Sequence, residues 1–166
     1  MRAILLGAWL ISACSITINH NYNETTSIVN TAGEWVGLHQ SHDRAQLREF
    51  LGVDPVQIEW CAAFVNSVLH QLDIPGSESV HRYPLLARSF LRWGEPVELS
   101  QRQVGDVVIF PRGWQGWQGH VGFYVGTEVV NGVEYLQILG GNQSNSVNIA
   151  LYPAYRAIGV RRWPLE

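Results

Sequence analysis

The chain predicts an α+β fold, helices first and an antiparallel sheet after them. Three observations carry this expectation. Apolar residues recur at helical spacing as far as Gly94, and the rhythm changes to period two beyond it. Between two of the later runs stands Asn131-Gly132, a dipeptide suited to a tight hairpin turn. Helices followed by strands, rather than alternating with them, give a segregated α+β layout.

The elements follow in order. Ile28, Ala32, Trp35, Val36 and His39 share one helical face, predicting a helix that ends near Gln40. Ser41 to Leu51 forms a second, with Leu47, Phe50 and Leu51 on one side and Gly52 as its stop. Asp54-Pro55-Val56-Gln57 reads as a helix start, with Asp54 as N-cap, Pro55 in the first turn and Gln57 closing the box. The apolar run Cys61 to His70 is helical and stops before Pro75-Gly76, and Leu85 to Trp93 is a further helix ended by Gly94. Val107–Phe110, Val121–Val125 and Tyr135–Leu139 are strands, and Ala157–Trp163 is expected to close the sheet.

Composition narrows the function. The 166 residues suit one domain with a proper core, 46% of them hydrophobic and 15% charged. A net charge of -3 gives no basic footprint for nucleic acid. All 11 basic residues are Arg; without Lys there is neither a Schiff base nor a P-loop lysine. No G-x-G-x-x-G run follows a strand, so nucleotide enzymes are excluded. Cys14 and Cys61 allow at most one bridge and no zinc finger or disulfide framework. His39 and His42, with Asp43 beside them, are spaced i, i+3 and not as the i, i+4 histidine pair of a helical metal site, and no metal or other cofactor is expected.

The first residues read as an address. Met1-Arg2, the apolar run Ala3 to Ile11 and the exit Ser12-Ala13-Cys14 form a secretory signal pattern, too short to span a bilayer as a helix. Leu10-Ile11-Ser12-Ala13-Cys14 resembles a bacterial lipobox, which implies cleavage before Cys14, lipid on that cysteine and a tether to the membrane. Ser15 after it, rather than Asp, favours the periplasmic face of the outer membrane. The expected organisation is a signal segment over 1–14, a polar tether over 15–30 and one domain over 31–166.

The chemistry lies in three places. Trp60-Cys61-Ala62-Ala63-Phe64-Val65-Asn66 puts a thiol near a helix start, where the dipole favours the thiolate. That argument requires a chain break near Glu59-Trp60, with a new helix beginning at Cys61. Gly119-His120-Val121-Gly122 puts an imidazole at the start of a strand, and Gly140-Gly141-Asn142-Gln143 puts an amide at the end of the next. Cys, His and a polar orienting residue make the arrangement used for acyl transfer. His120 shares a strand face with Gly122 and Tyr124, and the small glycine leaves room for substrate. Arg112, Trp114 and Trp117 occupy a Gly-rich loop before His120; the two Trp either form a lip that stacks on substrate or pack inward under the sheet.

Those segments, with Gly105-Asp106-Val107-Val108-Ile109-Phe110, resemble the NlpC-like and CHAP-type cysteine peptidases. These are papain-like hydrolases of bacterial peptidoglycan. The resemblance covers about residues 31–166 and keeps the motifs in family order. It implies a papain-like fold with Cys61 as nucleophile, His120 as general base and acid, and Asn142 orienting the imidazole, with Gln143 as the fallback. Gln57 is a candidate oxyanion donor beside the Cys61 N–H. Trp60, Arg112, Trp114, Trp117 and Tyr124 are candidate substrate contacts. The implied partner is the peptide stem of peptidoglycan, and endopeptidase is preferred to amidase. Two alternatives accompany it: an inactive domain that binds wall peptides, and a phage lysis, virion or secreted effector hydrolase with an uncleaved N-terminus.

Overall fold

The computed structural model describes residues 27–164. The signal and lipobox reading over 1–14, Cys14 included, and the tether as far as 26 lie outside the described residues. The last part of the expected tether is instead helix: α1 covers 27–33 and buries Ile28 and Ala32 in the core. The folded domain therefore takes in residues assigned to the tether.

Helix α1 ends seven residues before Gln40 because the chain beyond it finds sheet partners. The Gly37 N–H donates to the Val147 carbonyl, Val147 N–H to Leu38, and Gln40 N–H to Asn145. Helix α2, Arg44–Leu51, buries Leu47 and Leu51 and ends on Gly52 in the left-handed region. The Asp54 start is overturned. Residues 55–57 form only a turn, with Asp54 accepting from Val56 N–H and pairing with Arg44 of α2. A new helix, α3, begins at Cys61 and runs to His70, with Trp60 as its non-helical N-cap. The Leu85–Trp93 helix is also corrected: Leu86 is extended, and only Ala87–Arg92 coil, as a 3-10 helix.

Among the described residues the sheet has six strands, all paired antiparallel: β1 Glu95–Pro96, β2 Val107–Pro111, β3 Gly119–Val130, β4 Val133–Gln143, β5 Ser146–Pro153 and β6 Gly159–Arg162. Their order is β1-β6-β2-β3-β4-β5. Asn131 and Gly132 both have positive φ, as the two-residue turn between β3 and β4 demands. The C-terminal strand does not finish an edge; it inserts between β1 and β2.

One face of the sheet, with Val107, Ile109, Val121, Phe123 and Leu139, packs on the helices and on Trp60, Phe64 and Val68. The other face carries a smaller core of Val108, Phe110, Leu136, Ile138, Ala154 and Val160. Gly141 marks where α3 meets β4: a Cβ there would come within 2.5 Å of Trp60 and 2.7 Å of Phe64. No helix among the described residues is long and apolar enough to cross a membrane.

Candidate active site

Cys61 is the first residue of α3, so its N–H is among the donors that an α-helix leaves without an internal partner. The thiol is buried and lines a cleft of about 390 Å³. Burial pushes it up from its ordinary value; backbone hydrogen bonds from Val121 and Ala62 and the nearby Arg112 charge act the other way. Desolvation thus outweighs the helix start, and the resting group is a thiol.

The Val121 N–H that faces this sulfur belongs to the peptide joining it to His120. His120 is buried, and its Nε2 lies 3.0 Å from Gln143 Oε1. The Gln143 amide is not free to flip, because its Nε2 donates to the Ile138 and Asn148 carbonyls and to Asn148 Oδ1. Its oxygen therefore faces the ring and requires a proton on His120 Nε2. Nδ1 is left with the lone pair, buried and without a hydrogen-bond partner among the described residues. Burial drives the imidazole down from 6.5 to about 4, with the Gln143 bond opposing and Arg112 assisting. At rest the thiol and the imidazole are both neutral, and one imidazole nitrogen is open.

Asn142 does not orient this ring. Its Nδ2 donates to Glu59 Oε2 at 2.7 Å. The reason is one extra residue in β4: Gly140 pairs with Asn148 and Gln143 with Ser146, so the register slips by one between them. Asn142 takes up the slip with φ 58°, and Gln143 reaches the imidazole in its place.

The other expected contacts divide. Gln57 is exposed in the turn before α3 and is not part of the cleft wall. Trp60 is fully buried and donates from Nε1 to Gln40, so it is core and not a substrate contact. Tyr124 bonds Thr127 and packs with the smaller core on the far face. Arg112 and Trp117 do line the cleft beside Cys61. Inward packing of the loop tryptophans is ruled out, since Trp117 is 59% and Trp114 100% exposed. Of these two only Trp117 reaches the cleft wall.

Several residues of the site were not read from the sequence. Glu59 stands at the cleft mouth, bonded to Asn142 and 3.4 Å from Arg112. Leu85, Leu86 and Ala87 form the apolar wall. Asn66, the last residue of the α3 motif, fixes that wall: Oδ1 accepts from Ser77 N–H and Nδ2 donates to the Pro84 carbonyl. Gln118 folds the loop by accepting from the N–H groups of Trp114 and Gln115, and Arg88 anchors its carbonyl. Neither protein-family models nor curated proteins give a match to the chain.

Proposed function

We propose that the protein is a papain-like cysteine hydrolase that cuts an amide bond in the peptide stems of peptidoglycan. The observation that carries this reading is the imidazole fixed at Nε2 by Gln143 with Nδ1 open, on the residue that precedes Val121, whose backbone N–H bonds the thiol on the first residue of a helix. The wall-peptide substrate rests on the family resemblance and on a cleft that combines apolar residues with one acid and one base, Glu59 and Arg112.

In this mechanism His120 Nδ1 takes the Cys61 proton as Sγ attacks the amide carbon. The oxyanion is met by the Cys61 N–H at the helix start. The imidazolium then gives its proton to the leaving amine, and the tetrahedral centre collapses to a thioester. Nδ1 next takes a proton from water, which attacks the thioester and releases the acid and the thiol. Gln143 keeps Nε2 protonated throughout, so Nδ1 always carries the exchange. Endopeptidase is preferred to amidase, and a lipid on Cys14 would hold the enzyme at the envelope.

The test is release of soluble fragments from purified peptidoglycan by the full chain and by Cys61→Ala, with mass spectrometry of the products. Fragments from the native chain alone support the reading, and their new termini distinguish endopeptidase from amidase. Absence of fragments across several wall types, with retained binding to the wall, points to a binding module instead.

A further inference from the structure

Tyr152 has no part in the mechanism above, yet its ring lies on the imidazole. The Tyr152 and His120 centroids are 5.2 Å apart with planes 15° from parallel. Phe110, paired with His120 across β2 and β3, stacks on the same tyrosine at 4.6 Å and 25°. Tyr152 therefore crosses from β5 over β4 to reach both. Gly140 of β4 lies beside the imidazole edge, where a Cβ would stand in ordinary contact, 3.4 Å from Nε2.

The histidine χ2 torsion is intrinsically broad. The Cβ–Cγ axis runs close to the far edge of the ring, so the Gln143 bond at Nε2 restrains tilt about that axis only weakly. A ring stacked on the face fixes the plane and so fixes where Nδ1 points. The aromatic face also attracts the imidazolium formed when the thiol proton arrives, offsetting part of the burial penalty.

We infer that Tyr152 is a positioning residue, whose ring clamps His120 with Nδ1 toward Cys61 and steadies its protonated form. This rests on the Cys61–His120 reading, but its test needs no substrate. Alkylation of Cys61 by iodoacetamide is followed against pH in the full chain, in Tyr152→Phe and in Tyr152→Leu, with a thermal melt of each. The expected result is that Phe stays within about twofold of the native rate while Leu falls roughly tenfold at unchanged fold, the order of a desolvated cation–π contact. Equal rates in all three overturn the inference, as does a loss in Phe equal to that in Leu, which would assign the role to the hydroxyl. A Leu variant too unstable to assay is replaced by Tyr152→Met, judged by the same comparison with Phe. Slow alkylation in the Leu or Met variant with no peptidoglycan cleavage by the native chain keeps the clamp and removes the hydrolase. Cleavage that Leu or Met leaves intact does the reverse.

Discussion

At the scale of single residues, the neighbouring amides of β4 have separate duties that substitution will separate. Gln143→Leu removes the acceptor for a buried imidazole N–H and frees the ring to adopt the other tautomer. It is expected to lower kcat/KM by about two orders of magnitude, the lower end of what general acid–base catalysis contributes. Asn142→Gly, which keeps the positive φ at no strain, removes the bond to the exposed Glu59 and should cost less than about tenfold. Steady-state kinetics on one soluble wall peptide decides between them, and a larger loss at Asn142 would restore the assignment made from sequence. His120 adds a pH dependence whose sign is fixed. Its folded value, about 4, lies below 6.5, so between these values the unfolded chain binds the proton and the folded chain does not. Stability from this group is complete above 6.5, is lost as pH falls towards 4, and amounts to about 3 kcal/mol. Urea denaturation of the native chain and of His120→Gln should diverge through that window. The acid limb of kcat/KM should lie near 4, where Nδ1 becomes protonated.

At the scale of elements, what was legible in the sequence is what local chemistry decides. The period-two runs became β2, β3 and β4, and Asn131-Gly132 became their turn, because alternation and positive φ are properties of short stretches. The break before Cys61 was legible too, expected because a thiol proposed as nucleophile gains from a helix start. Tertiary partners decided the misreadings. Residues after 33 left the helical pattern to bond with 145–147, which no local window contains. Asp54 has the chemistry of an N-cap, but Arg44 of α2 takes its carboxylate. Ser146–Pro153 went unread as a strand, and the slip beside it exchanged Asn142 for Gln143. A period-two count cannot foresee such a slip, because one inserted residue reverses every later side chain. Glu59, Leu85 and Trp117 meet through the packing of α3 and of the 3-10 helix Ala87–Arg92 against β3. Cys61 and His120 were thus readable as motifs, while the groups that bond the imidazole and wall the cleft depended on register.

At the scale of the whole molecule, one ion pair ties the end of the chain to its centre. Asp106, fully buried just before β2, receives Arg162 Nε on Oδ1 at 2.7 Å and Nη2 on Oδ2 at 2.8 Å, with Gln103 N–H also on Oδ2. Arg162 lies on β6, which sits between β1 and β2 although it follows the other described strands in sequence. The pair therefore joins the last strand to the one whose Phe110 backs His120. Arg162→Met leaves the buried Asp106 charge unmatched and is expected to cost about 3 kcal/mol, while Asp106→Asn leaves a partly exposed guanidinium and should cost less. Much of that cost is the charge left behind, not the attraction lost, so the double variant should be more stable than the sum of the two singles by at least about 1 kcal/mol. Urea denaturation of the native chain, both singles and the double gives the coupling directly. A coupling near zero would mean that β6 is held by its backbone ladder and apolar packing alone, with Asp106 acting only as a cap for the turn before β2. Cys61 alkylation should be unchanged in all four proteins while they are folded, because the pair acts on the insertion of β6 and touches neither the thiol nor the imidazole.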